Sequence, residues 1–163
     1  MHWADYTAQR LMERGGKQVS ASGITPSGEF HIGHLREILS AEMIHRACLD
    51  AGMSSKYIFI VDSMDPLRRV YDFLSPEYEE FIGCPLAYIP APEEDGSPGD
   101  GSVTYANHFL SPFLEALEQI GVRPEVVMNH ETYEKGLFAE YIDSAITNTV
   151  SYTHLRAHET TSD

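Results

Sequence analysis

Two histidines three residues apart, His31 and His34, close the stretch Thr25-Pro-Ser-Gly-Glu-Phe-His-Ile-Gly-His34. What they can do depends on where the chain puts them. At the start of a helix, residues three apart share one face of the first turn. The helix end itself offers unpaired N–H groups and a partial positive charge, and phosphate is the anion such ends commonly hold. Two imidazoles placed there can donate hydrogen bonds to phosphate oxygens as charge builds in a transition state. Gly33 leaves the backbone open to a bulky ligand. Thr25 and Ser27 add hydroxyl donors in the preceding turn, which Pro26 and Gly28 help to shape.

The surrounding pattern supplies the elements such a site needs. Residues 3–14 have helical spacing through Trp3, Tyr6, Ala8, Leu11 and Met12, and Gly15-Gly16 stops the helix. Residues 18–22 read as a short strand whose small side chains suit a close ligand. Residues 23–28 form a turn. The next helix starts near Ile32 or Gly33 and runs to about Asp50, with Leu35, Ile38, Leu39, Met43, Ile44 and Ala47 as its apolar face. Residues 56–61 are a continuous apolar run, the pattern of a strand buried on both faces, with Asp62 at its carboxyl end. The fold class is therefore α/β, with a βαβ unit expected to be parallel and right-handed. Ligands of such sheets bind outside the carboxyl ends of the strands. Further along, a short helix is expected from Asp65, an exposed loop over 90–102, a helix over 105–120 through Phe109, Phe113, Leu117 and Ile120, a third strand over 125–128 and a helix over 136–146.

Composition sets the outer bounds. The chain has 163 residues, enough for one domain or part of a larger one. With 25 acidic and 11 basic residues its formal charge is −14, which repels phosphate backbones at long range and argues against non-specific nucleic-acid binding. It leaves room for an RNA docked on a local basic patch. No DNA partner is expected. No apolar run approaches the roughly 20 residues of a membrane helix and no secretory signal opens the chain, so a cytoplasmic location and no membrane partner are expected. Cys48 and Cys84 stand far apart, so no zinc ribbon or redox pair is encoded, and Cys48 reads as a small buried apolar side chain. The last stretch, from Val150, resembles translated sequencing-adapter read-through. The natural sequence is expected to stop near Thr149, with 150–163 a non-native tail.

The stretch from Ala21 to Glu37 resembles the first signature of class I aminoacyl-tRNA synthetases. More narrowly it is similar to their lysyl branch, on four further stretches: His2-Trp-Ala-Asp5, Asp62 to Val70, Tyr78-Glu-Glu-Phe-Ile-Gly-Cys-Pro-Leu86, and Ser102 to Phe109 followed by Tyr133-Glu-Lys-Gly136. The resemblance covers about residues 2–147. It implies a Rossmann-like parallel sheet, of which residues 1–149 are the first part, with an irregular and helical insertion over about 63–120. It also implies a two-step reaction with no covalent enzyme intermediate. Lysine attacks the α-phosphate of ATP, brought with Mg2+, and the lysyl group then passes to the terminal ribose of tRNA(Lys). Carried over by position, His31 and His34 are catalytic. Thr25, Pro26, Ser27, Gly28, His31, Gly33 and His34 form the ATP site, and Gly23, Thr25 and Asp62 border the lysine.

A lysine ammonium needs a carboxylate, because burying it unpaired is costly. Asp62 is a candidate for either amino group, or a cap on the next turn. Asp65, Arg68 and Arg69 read as a surface ion pair, or as an arginine facing substrate or tRNA. Some members of the branch carry zinc in the segment matching 90–108. Here Glu93, Glu94, Asp95, Asp100 and His108 stand without cysteine, so no metal is expected. The second class I signature, Lys-Met-Ser-Lys-Ser or a variant, is absent, and so is a helical anticodon-binding part. The chain alone is therefore expected to be inactive or nearly so. Another nucleotidyl transferase with an H-x-G-H motif, or a non-catalytic nucleotide-binding fragment, remain as alternatives.

Overall fold

The computed structural model describes residues 1–149, so the stretch from Val150 lies outside the described residues. The chain divides into two compact units after His130.

The first unit is built on a parallel three-stranded sheet in the order β1-β2-β3. These strands are β1 (Gln18–Ile24), β2 (Ser55–Val61) and β3 (Glu125–Met128). The register runs from Gln18 opposite Ser55 to Ile24 opposite Val61, and from Ile58 opposite Glu125 to Val61 opposite Met128. Helix α2 (Ile32–Asp50) joins β1 to β2, completing the βαβ unit. This is the α/β, Rossmann-like architecture expected, in incomplete form. Strand β1 runs two residues further than predicted, taking Gly23 and Ile24 out of the turn and into the ladder.

The main core lies where Ile38 and Ala41 of α2 meet Tyr57, Phe59 and Val61 of β2 and Leu110, Phe113 and Leu117 of α3 (Tyr105–Gln119). Burial alternates along β2: Tyr57, Phe59 and Val61 are sealed, while Ile60 is 37% exposed. The strand is thus buried on one face rather than both, because α2 and α3 contribute to the cluster only on the side of Phe59. Within this core Tyr57 donates its hydroxyl proton to the Ile38 carbonyl at 3.2 Å. Ser22 is therefore the donor in its 2.7 Å bond to the tyrosine oxygen. Glu42, also buried, is paired by the Arg46 Nε at 2.6 Å, and Arg46 reaches on to the Gly121 carbonyl at 2.7 Å. That arginine fastens α2 to the turn before β3.

Helix α1 (Trp3–Arg14) starts on a capping box in which the His2 ring accepts from the Ala4 N–H and Asp5 accepts from the His2 N–H. Two small residues, Ala4 and Ala8, bury it against Ala47 and Cys48. Trp3, Tyr6 and Met12 of its expected apolar set stay exposed, as does Met43 on α2. Alanines let the two backbones approach closely, which leaves the long side chains at the rim. Burial raises the Cys48 thiol above its ordinary range, as suits an apolar core residue.

The segment between β2 and α3 has its own core of Leu67, Leu74, Tyr78, Leu86, Ile89, Tyr105, Ala106 and Phe109. The helix expected from Asp65 is absent. Instead the Leu67 N–H donates to the Cys84 carbonyl and the Gly83 N–H to the Leu67 carbonyl, both at 2.9 Å, beside a bridge between Pro66 and Pro85. Long-range pairing has taken the backbone groups a helix would use. A 3-10 helix (Pro76–Phe81), not predicted, follows. The 90–102 loop is also less exposed than its composition suggests. Gly96, at φ +83°, lies against the Phe73 and Ser75 backbone, where a Cβ would come within 2.6 Å of the Phe73 carbonyl oxygen. Asp95 and Asp100 cap local turns at the N–H groups of Ser97 and Ser102.

Helix α3 ends at Gln119, leaving Ile120 beyond it and 54% exposed. Two short helices close the described chain. Helix α4 (Asn129–Glu134) was not expected, and α5 (Ala139–Thr147) starts three residues later than the 136–146 reading. Gly136, at φ +66°, separates them.

Candidate phosphate and amino-acid site

The carboxyl ends of β1 and β2, the turn after β1 and the start of α2 bring the sequence-predicted residues together. His31 is the N-cap residue of α2 and His34 its N3 residue. The His31 Nδ1 accepts from the Gly33 N–H at 3.0 Å, and the His34 Nδ1 accepts from the His31 N–H at 3.0 Å. The two rings lie 4.0 Å apart, and Phe30 stacks edge-on to His34 at 5.1 Å. This is a capping box made of two imidazoles in place of the usual Ser or Thr with Glu.

The box fixes the state of both rings. A nitrogen that accepts carries no proton, so each neutral imidazole carries its hydrogen on Nε2. Both Nε2–H groups remain as donors, while the backbone N–H of Gly33 is already used. Two ring Nε2–H groups therefore stand at the start of α2 beside a helix end whose Gly33 N–H is already taken. Gly33 has a different role as well. A Cβ there would lie 2.8 Å from Cε1 and 2.9 Å from Nδ1 of His31, so the glycine makes room for the capping ring before any ligand arrives.

Partial burial, and then the neighbouring His31, hold the His34 pKa below its ordinary 6.5, with Glu37 opposing. At acid pH the unfolded chain then binds this proton first. The stability that depends on neutral His34 is complete above about 6.5 and is lost as pH falls towards the lower folded value. Urea denaturation at about pH 7.5 and about pH 5.5 should show that loss, and it should shrink in His34→Gln, whose amide oxygen can still accept from His31. An equal pH dependence in both proteins would contradict the assignment.

The turn after β1 is held from three sides. Pro26 is among the fully buried side chains. The Ser27 N–H donates to the Thr25 carbonyl at 2.9 Å, and the Tyr105 hydroxyl donates to the Ser27 carbonyl at 2.8 Å. Thr25 donates its hydroxyl to Asp65 Oδ2 at 2.7 Å. Gly23 donates its N–H to Glu37 at 3.2 Å, and a Cβ at Gly28 would meet the Phe73 ring at an ordinary 3.7 Å. Tyr105, fully buried, is one residue that reading the sequence did not place at the site, and burial pushes its hydroxyl pKa well above the usual range. Tyr105→Phe should cost the chain about 1 kcal/mol by urea denaturation, the net worth of one such bond. No change would mean the turn does not depend on it.

At the strand ends, Asp62 Oδ1 accepts from the Asn129 amide at 3.1 Å. Next to it Ser63, fully buried, meets the His130 Nδ1 at 2.7 Å and accepts the His130 N–H at 3.1 Å. These contacts splice the ends of β2 and β3. Asp62 is half-buried and held by a side-chain amide, so it neither caps its own turn nor stands free. Asn129 and His130 lie 67 residues from their partners, and no local pattern announces them. Among the described residues no three His, Cys, Asp or Glu side chains gather as a metal site, and no helix is long and apolar enough to cross a membrane.

Comparison with known proteins gives the family. Residues 1–156 match the family model described as tRNA synthetases class I (K). The chain is 44% identical over 146 residues to lysine–tRNA ligase 1 of Methanosarcina acetivorans, covering 90% of this chain and 26% of that protein. It is 44% identical over 150 residues to the lysine–tRNA ligase of Methanocaldococcus jannaschii, covering 91% and 27%. Against that of Archaeoglobus fulgidus it is 46% identical over 138 residues, covering 85% and 27%. The chain thus spans about a quarter of the length of the curated relatives it matches. A parallel sheet ending in a paired-imidazole helix start, and a family match over nearly the whole sequence, lead to one conclusion: the chain belongs to the class I (K) tRNA synthetases.

Proposed function

We propose that this chain carries the phosphate side of the active site of a lysine–tRNA ligase, acting in the cytoplasm. The observation that carries the reading is the paired imidazole cap, which leaves two Nε2–H donors fixed at the start of α2. In the proposed reaction the lysine carboxylate attacks the α-phosphate of ATP, giving lysyl-adenylate and pyrophosphate. The lysyl group then passes to the terminal ribose of tRNA(Lys). Mg2+ arrives with ATP as part of the substrate. His31 and His34 donate to phosphate oxygens as charge builds on them, a contribution that is larger in the transition state than in the ground state. Residues 26–28 and Gly33 complete the ATP side. Gly23, Thr25 and Asp62 border the lysine, with Asn129 holding the Asp62 carboxylate.

Residues 1–149 form the first part of the catalytic domain, with an insertion over about 63–120. The chain spans about a quarter of its relatives' length, so activity is assigned to the full-length protein. The names of the relatives, lysine–tRNA ligases, support lysine as the amino acid. The test is amino-acid-dependent ATP–pyrophosphate exchange by the full-length gene product. Exchange with lysine is the expected result. Exchange only with another amino acid would move the protein to another substrate, and ATP binding without exchange would leave a non-catalytic nucleotide-binding protein.

A further inference from the structure

Thr25 stands in the proposed site between two possible partners, the ATP phosphates and the amino acid. A hydroxyl has one proton to give and two lone pairs. In this structure the proton is already committed, because Thr25 Oγ1 donates to Asp65 Oδ2 at 2.7 Å and an ionised carboxylate can only accept. Asp65 is itself fixed. Its N–H donates to the Asp62 carbonyl at 3.2 Å, its carbonyl accepts the Leu86 N–H at 3.0 Å, and Arg68 Nη2 lies 3.4 Å from the same Oδ2. The hydroxyl polarity is thus set by a residue 40 positions away that is anchored independently of the turn.

A threonine oxygen that has given its proton away presents lone pairs to the site. It repels phosphate oxygens and attracts a donor cation. In the proposed reaction the amino acid brings such a group: lysine carries two ammoniums, and ATP carries none. We infer that Asp65 is a positioning residue that turns Thr25 into an acceptor for an ammonium group of the amino-acid substrate. This rests on the ligase reading above, and it removes Thr25 from the set that donates to phosphate. Asp65 acts through Thr25, so the effect belongs to amino-acid recognition and not to ATP.

The test compares Asp65→Ala, Thr25→Val and the double variant in the full-length gene product by ATP–pyrophosphate exchange. Each single change should raise the KM for lysine about tenfold or more and leave the KM for ATP within about twofold. The double variant should be no worse than the worse single one, because both changes remove one interaction. Thr25→Val keeps the side-chain shape, so it reads the same split should Asp65→Ala disturb the loop. Norleucine, which lacks the ε-amine, and 6-aminohexanoate, which lacks the α-amine, serve as competing inhibitors that distinguish the two ammoniums. Asp65→Ala should weaken only the analogue that keeps the ammonium seated on Thr25.

Equal rises in KM for lysine and ATP, additive effects of the two substitutions, or no change for either analogue would overturn the inference. Failure of the ligase reading looks different. Exchange of the unsubstituted protein with another amino acid would overturn the lysine assignment alone, and the split is then read on that amino acid. No exchange with any amino acid would overturn both.

Discussion

His34→Ala is expected to slow lysine-dependent ATP–pyrophosphate exchange by about a hundredfold or more in the full-length protein, the scale of losing one transition-state donor. The substitution removes the Nε2–H that faces the proposed phosphate site. It also removes the acceptor for the His31 N–H, which frees the start of α2 at a cost of about 1 kcal/mol in stability, as for other caps. The two losses separate with His34→Gln. A glutamine at N3 is an ordinary capping-box residue, so the folding loss should be mostly restored. The rate should recover only in part, since the amide cannot place a donor where the ring nitrogen was. An undiminished kcat in His34→Ala would remove the residue from the mechanism. Full recovery in His34→Gln would reduce its part to holding the helix.

Gly33→Ala should leave stability almost unchanged and still cost about tenfold to a hundredfold in exchange rate, the range that a misplacement of about 1 Å commands. Alanine in place of glycine favours the helix by up to about 1 kcal/mol. The new Cβ would press into the His31 ring at 2.8 Å. The ring is the mobile end of a side chain and can swing away, giving up its bond to the Gly33 N–H for a loss of similar size to the helix gain. Folding hardly registers the change, but the His31 donor leaves its place. Thermal unfolding of the chain and exchange by the full-length protein measure the two halves. A normal rate would show that the His31 ring position is immaterial. A large drop in melting temperature would show that the ring cannot move aside.

Much of the frame was legible in local pattern. Residues 3–14 and 125–128 form the elements read for them, and α2 starts at Ile32 and ends at Asp50, because caps, glycine stops and apolar spacing are short-range signals. The paired-imidazole cap was legible too, since His31 and His34 have the N-cap-to-N3 spacing of a capping box. The burial of β2 was misread because a run of apolar residues does not say how many faces are covered. The segment after Asp62 differs from its expected helix for another reason: its backbone bonds go to residues 83–87, and local spacing carries no information about such partners. The same holds for the contacts that set the chemistry. Thr25 to Asp65 spans 40 residues, and Asp62 to Asn129 spans 67. The types of the site residues could be read from the sequence, but their hydrogen-bond polarity could not.

The His34 cap also governs how the part of the site carried by this chain would respond to salt. A His34 ring that accepts at Nδ1 cannot carry a formal charge without giving up that bond, so it meets a ligand as a dipole. Dipoles held at contact distance are little affected by ionic strength, whereas charges acting across solvent fade beyond about 8 Å at physiological salt. On a chain of net charge −14, added salt would chiefly weaken the long-range repulsion of an anionic nucleotide. Its capture should therefore be no weaker, and somewhat faster, in a saline medium than in a dilute one, the reverse of what a lysine- or arginine-lined phosphate site would show.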